Sequence, residues 1–212
     1  MIIKQLSTVP LVPVLRNVPY AKSSCIIKAL VEGGARSIEV TMETDLAEKM
    51  IEETAEAYRN RILVGAGTVL TVDECERAIK AGAQFIVTPV LDEEVVRFAM
   101  KKEVPVIPGV FTPSEMLRAV NLGAPMIKLF PASVLGPAFI RDVKGPLSHI
   151  PIMTTGGITL DTARDFLDAG AIAVGVGSAL LRKDLIDSED WTQLTKETRR
   201  WLEKLNISRS TI

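Results

Sequence analysis

Residues that hold metals or cross-links are scarce in this chain, which carries two cysteines and one histidine among 212 residues. Cys25 and Cys75 lie far apart in helical-looking stretches. With neither CxxC spacing nor a framework of paired half-cystines, both read as reduced, packed thiols of a cytoplasmic protein. His149 stands alone after the turn-like Gly145-Pro146, so a metal site built on imidazoles has nothing to draw on, and no metal is expected. Charge of one sign is lacking too. Lys and Arg number 25 against 26 Asp and Glu, a net charge of -1. No broad field exists to gather nucleic acid or an anionic membrane surface, and any anion must be gripped locally. No apolar run approaches the roughly 18 to 20 residues of a membrane span. Pro10 and Pro13 interrupt the N-terminal segment and no small-residue cleavage pattern follows, so no signal peptide is expected.

What the chain does have is apolar content, 47% of residues, and a length that fits one domain better than two. Residues 1–212 are expected to form that single domain, with a polar tail fraying after Asn206. Short β-branched or apolar runs recur at Leu11–Leu15, Ser37–Thr41, Ile62–Val64, Phe85–Thr88, Val104–Pro108, Met126–Phe130, Ile152–Thr154 and Ile172–Val176. Between them, stretches such as Asp45–Tyr58, Val72–Ala81 and Leu160–Ala169 repeat apolar residues three or four apart, the period of a helix with one buried face. Strict alternation implies parallel strands. Several helices end in a glycine suited to a left-handed cap, at Gly34, Gly82, Gly123 and Gly170, and each leads into a strand. The repeating unit of about 19 to 26 residues is the size of one strand plus one helix, and eight units make a (β/α)8 TIM barrel of the α/β class. A doubly wound open sheet is the alternative. Trp191, Leu194, Thr198, Trp201, Leu202 and Leu205 share one face of a last helix that closes the outer ring.

In such barrels the working residues sit at the C-terminal ends of strands. Between Arg118 and Arg141 the only charged residue is Lys128, within Met126-Ile127-Lys128-Leu129-Phe130. A strand apolar on both faces is buried, and a buried ammonium is costly, so its pKa falls. That fall leaves a free amine able to attack a carbonyl, unless the lysine is paired with a carboxylate for structure. On the second strand Glu39 and Thr41 share a face by the period of two. Pointing inward, Glu39 can move protons for imine chemistry; pointing outward, it can pair with Arg36 or a surface lysine. Two glycine-bearing segments, Thr154-Thr155-Gly156-Gly157-Ile158 and Val174-Gly175-Val176-Gly177-Ser178, follow the seventh and eighth strands, where loops of this fold commonly hold phosphate. Gly65-Ala66-Gly67-Thr68 follows the third strand and is placed to meet substrate near the lysine.

Along nearly its whole length the chain resembles the 2-dehydro-3-deoxy-6-phosphogluconate (KDPG) and 4-hydroxy-2-oxoglutarate (KHG) aldolases. The matching segments are Pro13-Val14-Leu15-Arg16, Ile38-Glu39-Val40-Thr41, Gly65-Ala66-Gly67-Thr68-Val69, Ile107-Pro108-Gly109, Thr112-Pro113-Ser114-Glu115, Lys128-Leu129-Phe130-Pro131-Ala132, Thr155-Gly156-Gly157-Ile158 and Gly177-Ser178. The resemblance implies a homotrimeric class I aldolase, a lyase that needs neither metal nor cofactor. Its substrate would be a small phosphorylated 2-oxo acid, cleaved to pyruvate and glyceraldehyde 3-phosphate. It implies Lys128 as the imine-forming residue and Glu39 as general acid and base. Arg16, Thr68, Pro89 and Phe130 would shape the pyruvyl pocket, Gly156, Gly157, Gly177 and Ser178 would hold the phosphate end, and Thr155 would also meet the substrate.

Two positions depart from the family pattern. The arginine expected four residues after the strand-two glutamate, which grips the substrate carboxylate, is here Glu43, and the glutamate after Phe-Pro-Ala is here Ser133. Two other functions compete. A sugar-phosphate epimerase or isomerase would share the phosphate loops without requiring Lys128. A catalytically dead barrel kept as a binding module would fit Glu43.

Overall fold

Strands buried on both faces need cover on both, and the strands of this chain are buried at every position. The structure is a computed structural model that describes residues 2–206. Its strands are β1 (Leu11–Leu15), β2 (Ser37–Thr41), β3 (Leu63–Gly67), β4 (Phe85–Val87), β5 (Val106–Ile107), β6 (Gly109–Val110), β7 (Ile127–Leu129), β8 (Ile152–Thr155) and β9 (Ala173–Val176). All pair in parallel, in the order β5-β4-β3-β2-β1-β9-β8-β7-β6. The two ends of this order, β5 and β6, are neighbours in the chain, separated only by Pro108.

Pro108 explains why the expected strand Val104–Pro108 divides in two. Lacking an N–H, proline cannot donate to a ladder. β5 pairs with β4, through Val106↔Ile86 and Ile107↔Val87, and β6 pairs with β7, through Gly109↔Lys128 and Val110↔Leu129. Between them the Pro108 carbonyl accepts the Lys128 N–H at 2.8 Å. The two segments thus form one stave that hands its pairing from one neighbour to the next. Eight staves close into a (β/α)8 barrel, and an open doubly wound sheet is excluded.

The period of two divides the apolar residues into two cores. Outward residues such as Ile38, Val40, Ile127, Leu129, Ile152 and Val174 pack beneath the helices. Those helices are α2 (Tyr20–Glu32), α3 (Ala47–Ala57), α4 (Val72–Lys80), α5 (Glu93–Lys101), α6 (Pro113–Asn121), α7 (Ala132–Lys144), α8 (Ala163–Asp168), α9 (Lys183–Asp187) and α10 (Trp191–Asn206). Inward residues Val12, Leu63, Phe85, Val87, Ile107, Met126, Met153 and Ala173 fill the barrel. Ile2 and Leu6 of a short N-terminal helix, α1 (Ile2–Thr8), pack onto this inner core. The sequence reading gave that segment no element.

Local signals agree with the elements. Thr112 and Glu115 form a reciprocal capping box at the start of α6, with Pro113 in its first turn. Gly82 and Gly170 have φ of 97° and 112°, left-handed positions that end α4 and α8 and turn the chain toward the next strand. Leu194, Thr198, Trp201 and Leu205 of α10 are buried, as the periodicity predicts. Three expectations need correction. β3 extends to Gly67, the helix expected over Leu160–Ala169 is confined to Ala163–Asp168, and Cys25 is exposed on α2 while Cys75 alone is packed. Burial raises the Cys75 thiol to about 11. The fraying expected after Asn206 falls outside the described residues.

Leu6, fully buried against the barrel interior, generates a stability prediction. Leu6→Ala is expected to cost about 2–4 kcal/mol in urea unfolding at unchanged m. A loss below about 0.5 kcal/mol, within the scatter of surface substitutions, would show that α1 does not seal the inner core.

Candidate active site

The inward positions of the barrel change character from one end to the other. The lower layer is bulky, with Phe85, Met126 and Met153. Toward the C-terminal ends of the strands the same face carries Gly67, Gly109 and Gly175 beside Glu39, Lys128 and Thr155. A Cβ on Gly67 would overlap the Glu39 carboxylate, and one on Gly175 would overlap the Thr155 hydroxyl. The missing side chains are the space in which these polar groups lie.

Lys128 is 1% exposed and Glu39 is 0% exposed. The Lys128 Nζ stands 5.0 Å from the centroid of the Phe130 ring, two residues on and on the same face of the strand. Burial depresses the lysine pKa, an effect that the Glu39 charge opposes, Arg16 reinforces and Glu43 opposes. Burial also raises the Glu39 pKa, opposed by Lys128 and then by Arg16, with Glu43 adding to the rise. Desolvation is the first cause for both, so each group is driven toward its neutral form. Neither Glu39 oxygen has a hydrogen-bond partner, nor has the Thr155 hydroxyl. These are the only buried side-chain polar atoms without partners among the described residues, and all lie on the barrel's inner face near Lys128. Unsatisfied buried groups gathered at one place mark a site that awaits a ligand. An outward Glu39 paired with Arg36 is excluded by its burial, and Lys128 makes no ion pair among the described residues.

Above this chamber opens a cleft of about 750 Å³, lined among others by Arg16, Phe130, Thr155, Gly156, Gly157, Gly177 and Ser178. Arg16 follows β1 and is half-exposed. Its Nη2 donates to the Thr68 hydroxyl at 3.3 Å, and its Nε lies 3.4 Å from Glu43 Oε1. The next residue, Asn17, is left-handed at φ 51° and donates its N–H to the Thr44 hydroxyl at 3.0 Å, which ties the ends of β1 and β2 together. On the opposite wall Gly157 has φ 71°, where a side chain is strained, and a Cβ there would overlap the Ser133 hydroxyl. The Gly156 carbonyl accepts the Ser133 N–H at 3.1 Å, so the start of α7 and the loop after β8 are held together.

Of the residues singled out from sequence, seven therefore line one cleft, and Lys128 and Glu39 lie at the barrel's inner face close by. Thr68 joins through Arg16. Pro89 is half-buried, and its carbonyl lies where a Cβ on Gly109 would be. The sequence reading missed Asn17, Lys183 and Asp187, which also line the cleft. It noted Ser133 only as a departure and not as a neighbour of Gly157. The one signal for Lys183 was its position just after the Gly177-Ser178 segment. Among the described residues no group of three or more His, Cys, Asp and Glu is placed to hold a metal ion, and no helix is long and apolar enough to cross a membrane.

A buried amine with no ion pair and a buried carboxyl with no hydrogen bond, at the C-terminal mouth of a barrel, define an enzyme site suited to imine chemistry. The profile of the aldolase family described as KDPG and KHG aldolase matches residues 2–197. A 2-dehydro-3-deoxy-phosphogluconate aldolase of Pseudomonas aeruginosa is 38% identical over 177 residues, covering 83% of this chain and 80% of that protein. A 2-dehydro-3-deoxy-6-phosphogalactonate aldolase of Escherichia coli K12 is 33% identical over 174 residues, 82% of this chain and 85% of its own length. The crystal structure of the KDPG aldolase from Legionella pneumophila, with pyruvate captured as a covalent carbinolamine, superimposes with a TM-score of 0.85. It is 26% identical and covers 94% of this chain and 97% of its own. The chain belongs to the KDPG and KHG aldolase family and is a class I aldolase, a carbon–carbon lyase.

An unpaired buried amine and carboxyl weaken a fold, which gives a test of the site independent of activity. Replacing both by apolar groups of similar size, Lys128→Met with Glu39→Leu, is expected to leave the protein as stable or more stable by about 1–4 kcal/mol in urea unfolding. A loss of more than about 2 kcal/mol would mean that the pair holds the barrel together.

Proposed function

We propose that this enzyme cleaves 2-dehydro-3-deoxy-6-phosphogluconate to pyruvate and glyceraldehyde 3-phosphate, and 4-hydroxy-2-oxoglutarate to pyruvate and glyoxylate, with Lys128 as the imine-forming residue. The observation that carries this reading is the desolvated Lys128 amine facing an unpartnered Glu39. The neutral amine attacks the C2 carbonyl of the 2-oxo acid to give a carbinolamine, and loss of water gives an iminium. Glu39 takes up and returns the protons of these steps. When the C3–C4 bond breaks, its electron pair flows into the iminium to form an enamine, and the C4 hydroxyl gives up its proton to become the aldehyde product. Protonation at C3 and hydrolysis of the imine release pyruvate and restore the amine.

Arg16, Thr68, Pro89 and Phe130 form the pyruvyl end in this reading. The bare backbone of Gly156 and Gly157, with Thr155, Gly177 and Ser178, takes the other end, where a phosphate meets N–H groups. Lys128 disfavours an epimerase or isomerase, whose chemistry does not require an imine-forming amine. Glu43 does not argue for a dead barrel, because its ion pair with Arg16 neutralises it at the cleft mouth. The same pair leaves Arg16 only partly available to the substrate carboxylate. Relatives named for gluconate and for galactonate substrates both match, and the C4 configuration is the feature that separates them.

The chain acts as one domain, in the cytoplasm, as a homotrimer. Free thiols at Cys25 and Cys75 support the compartment. Exposed Leu70, Val90, Phe111 and Val134, each shortly after the C-terminal end of a strand, support association through one side of the barrel mouth.

Intact-mass measurement after incubation with pyruvate and borohydride is expected to find one adduct per chain on the Lys128 peptide. The adduct should be absent from Lys128→Ala, whose circular dichroism remains that of the parent. An adduct that persists in Lys128→Ala would assign the chemistry to another lysine. Glu43→Gln is expected to raise kcat/KM for the phosphorylated aldol about threefold to tenfold by releasing Arg16, the size of a partly exposed ion pair. A fall instead would give Glu43 a positive role in holding Arg16.

A further inference from the structure

Charged side chains along the cleft are few, and they separate into two groups. Among its lining residues only Arg16, Lys183 and Asp187 carry charge. Arg16 is engaged with Glu43 and Thr68 at the pyruvyl end. That leaves one cation and one anion on the wall after β9, and they are bound to each other, with Lys183 Nζ 2.6 Å from Asp187 Oδ2. The loop that follows β8 supplies backbone N–H groups but no cationic side chain, and the one cation in the loop that follows β9, Arg182, is not among the residues that line the cleft. A phosphate seated there would therefore have Lys183 as the one side-chain cation on its wall.

The helix that presents Lys183 is fixed to the barrel. Leu185 and Ile186 of α9 are buried. Lys22 of α2 donates to the Ile186 carbonyl at 2.9 Å and the Asp187 carbonyl at 3.4 Å, and pairs with Glu189 at 3.1 Å. The neighbouring Arg182 is occupied by both carboxylate oxygens of Asp184, at 3.1 and 2.6 Å. Lys183 is exposed and held only by Asp187, so a long flexible side chain on a fixed base can exchange one anion for another.

We propose that Lys183 is a specificity-determining residue that grips the substrate phosphate, and that Asp187 is its counter-ion when the cleft is empty. This deepens the reading of the cleft's phosphate end and rests on it. On phosphate binding the ammonium leaves the Asp187 carboxylate for the phosphate oxygens. The lysine adds charge-assisted bonds to those of the backbone N–H groups and discriminates between phosphorylated and unphosphorylated aldols. Because the pair is exposed, its effect is modest and falls with salt.

The test compares kcat/KM for 2-dehydro-3-deoxy-6-phosphogluconate with that for 4-hydroxy-2-oxoglutarate, together with inhibition by inorganic phosphate. Lys183→Gln is expected to lower the ratio of the two kcat/KM values by about threefold to fivefold, to weaken phosphate inhibition by a similar factor, and to act through KM. Lys183→Arg should restore most of the ratio, and Asp187→Asn should raise it. A Lys183→Gln enzyme with an unchanged ratio, in a protein that still prefers the phosphorylated substrate and is still inhibited by phosphate, would overturn the role of Lys183 alone. A parent enzyme with no such preference and no inhibition would overturn the phosphate end itself, and the inference with it.

Discussion

The removal of Lys128 and Glu39 from water is the constraint on which the rest of the site depends. Neither is repaid by a close partner: the two feel each other's charge, but both carboxylate oxygens remain without hydrogen bonds. Burial disfavours the charged form of each, which is what a nucleophilic amine and a proton carrier both need near neutral pH. The barrel makes this state affordable. Its lower interior is closed by large side chains, its upper interior is cleared by glycines, and the strands around Lys128 are locked by a ladder in which Pro108 supplies a carbonyl to the lysine's own N–H.

Arg16 connects this interior to the outside. It is half-exposed, reaches Thr68 and Glu43, and still lowers the proton affinity of both buried groups. Glu43 acts on them with the opposite sign. The two charges at the mouth therefore oppose each other as a field on Lys128 and Glu39, with Arg16 the stronger, and their ion pair fixes the position of the arginine. A charge change at position 43 is expected to alter the protonation of the buried pair, and under the proposed role of Arg16 it would alter substrate affinity as well.

Much of this was legible in the sequence because it rests on short-range rules. Lys128 stood out as the lone charge in a long apolar stretch, and the period of two placed Glu39 and Thr41 on one face. Glycines after the helices, with the length of the repeat, gave the barrel. What sequence did not yield arises from contacts between distant segments. The division of the fifth stave at Pro108 depends on which neighbour each half meets. The plug formed by Ile2 and Leu6 depends on where the barrel's lower end lies. The Arg16–Glu43 pair joins the ends of two strands, and Lys183 enters the cleft only because Lys22 and the buried Leu185 and Ile186 hold α9 against it. Cys25 was misjudged because a helical stretch by itself does not say which of its faces is covered.

The claim that burial without a partner tunes Lys128 is tested most directly by following its side chain in a pH titration. Isotope-labelled lysine, with the resonance assigned by its loss in Lys128→Arg, reports the amine by NMR in the absence of substrate. The account predicts that Lys128 titrates well below the ordinary lysine range, and lower still in Glu39→Gln, where the opposing negative charge is gone. A Lys128 that titrates with the exposed lysines, unmoved by Glu39→Gln, would contradict it.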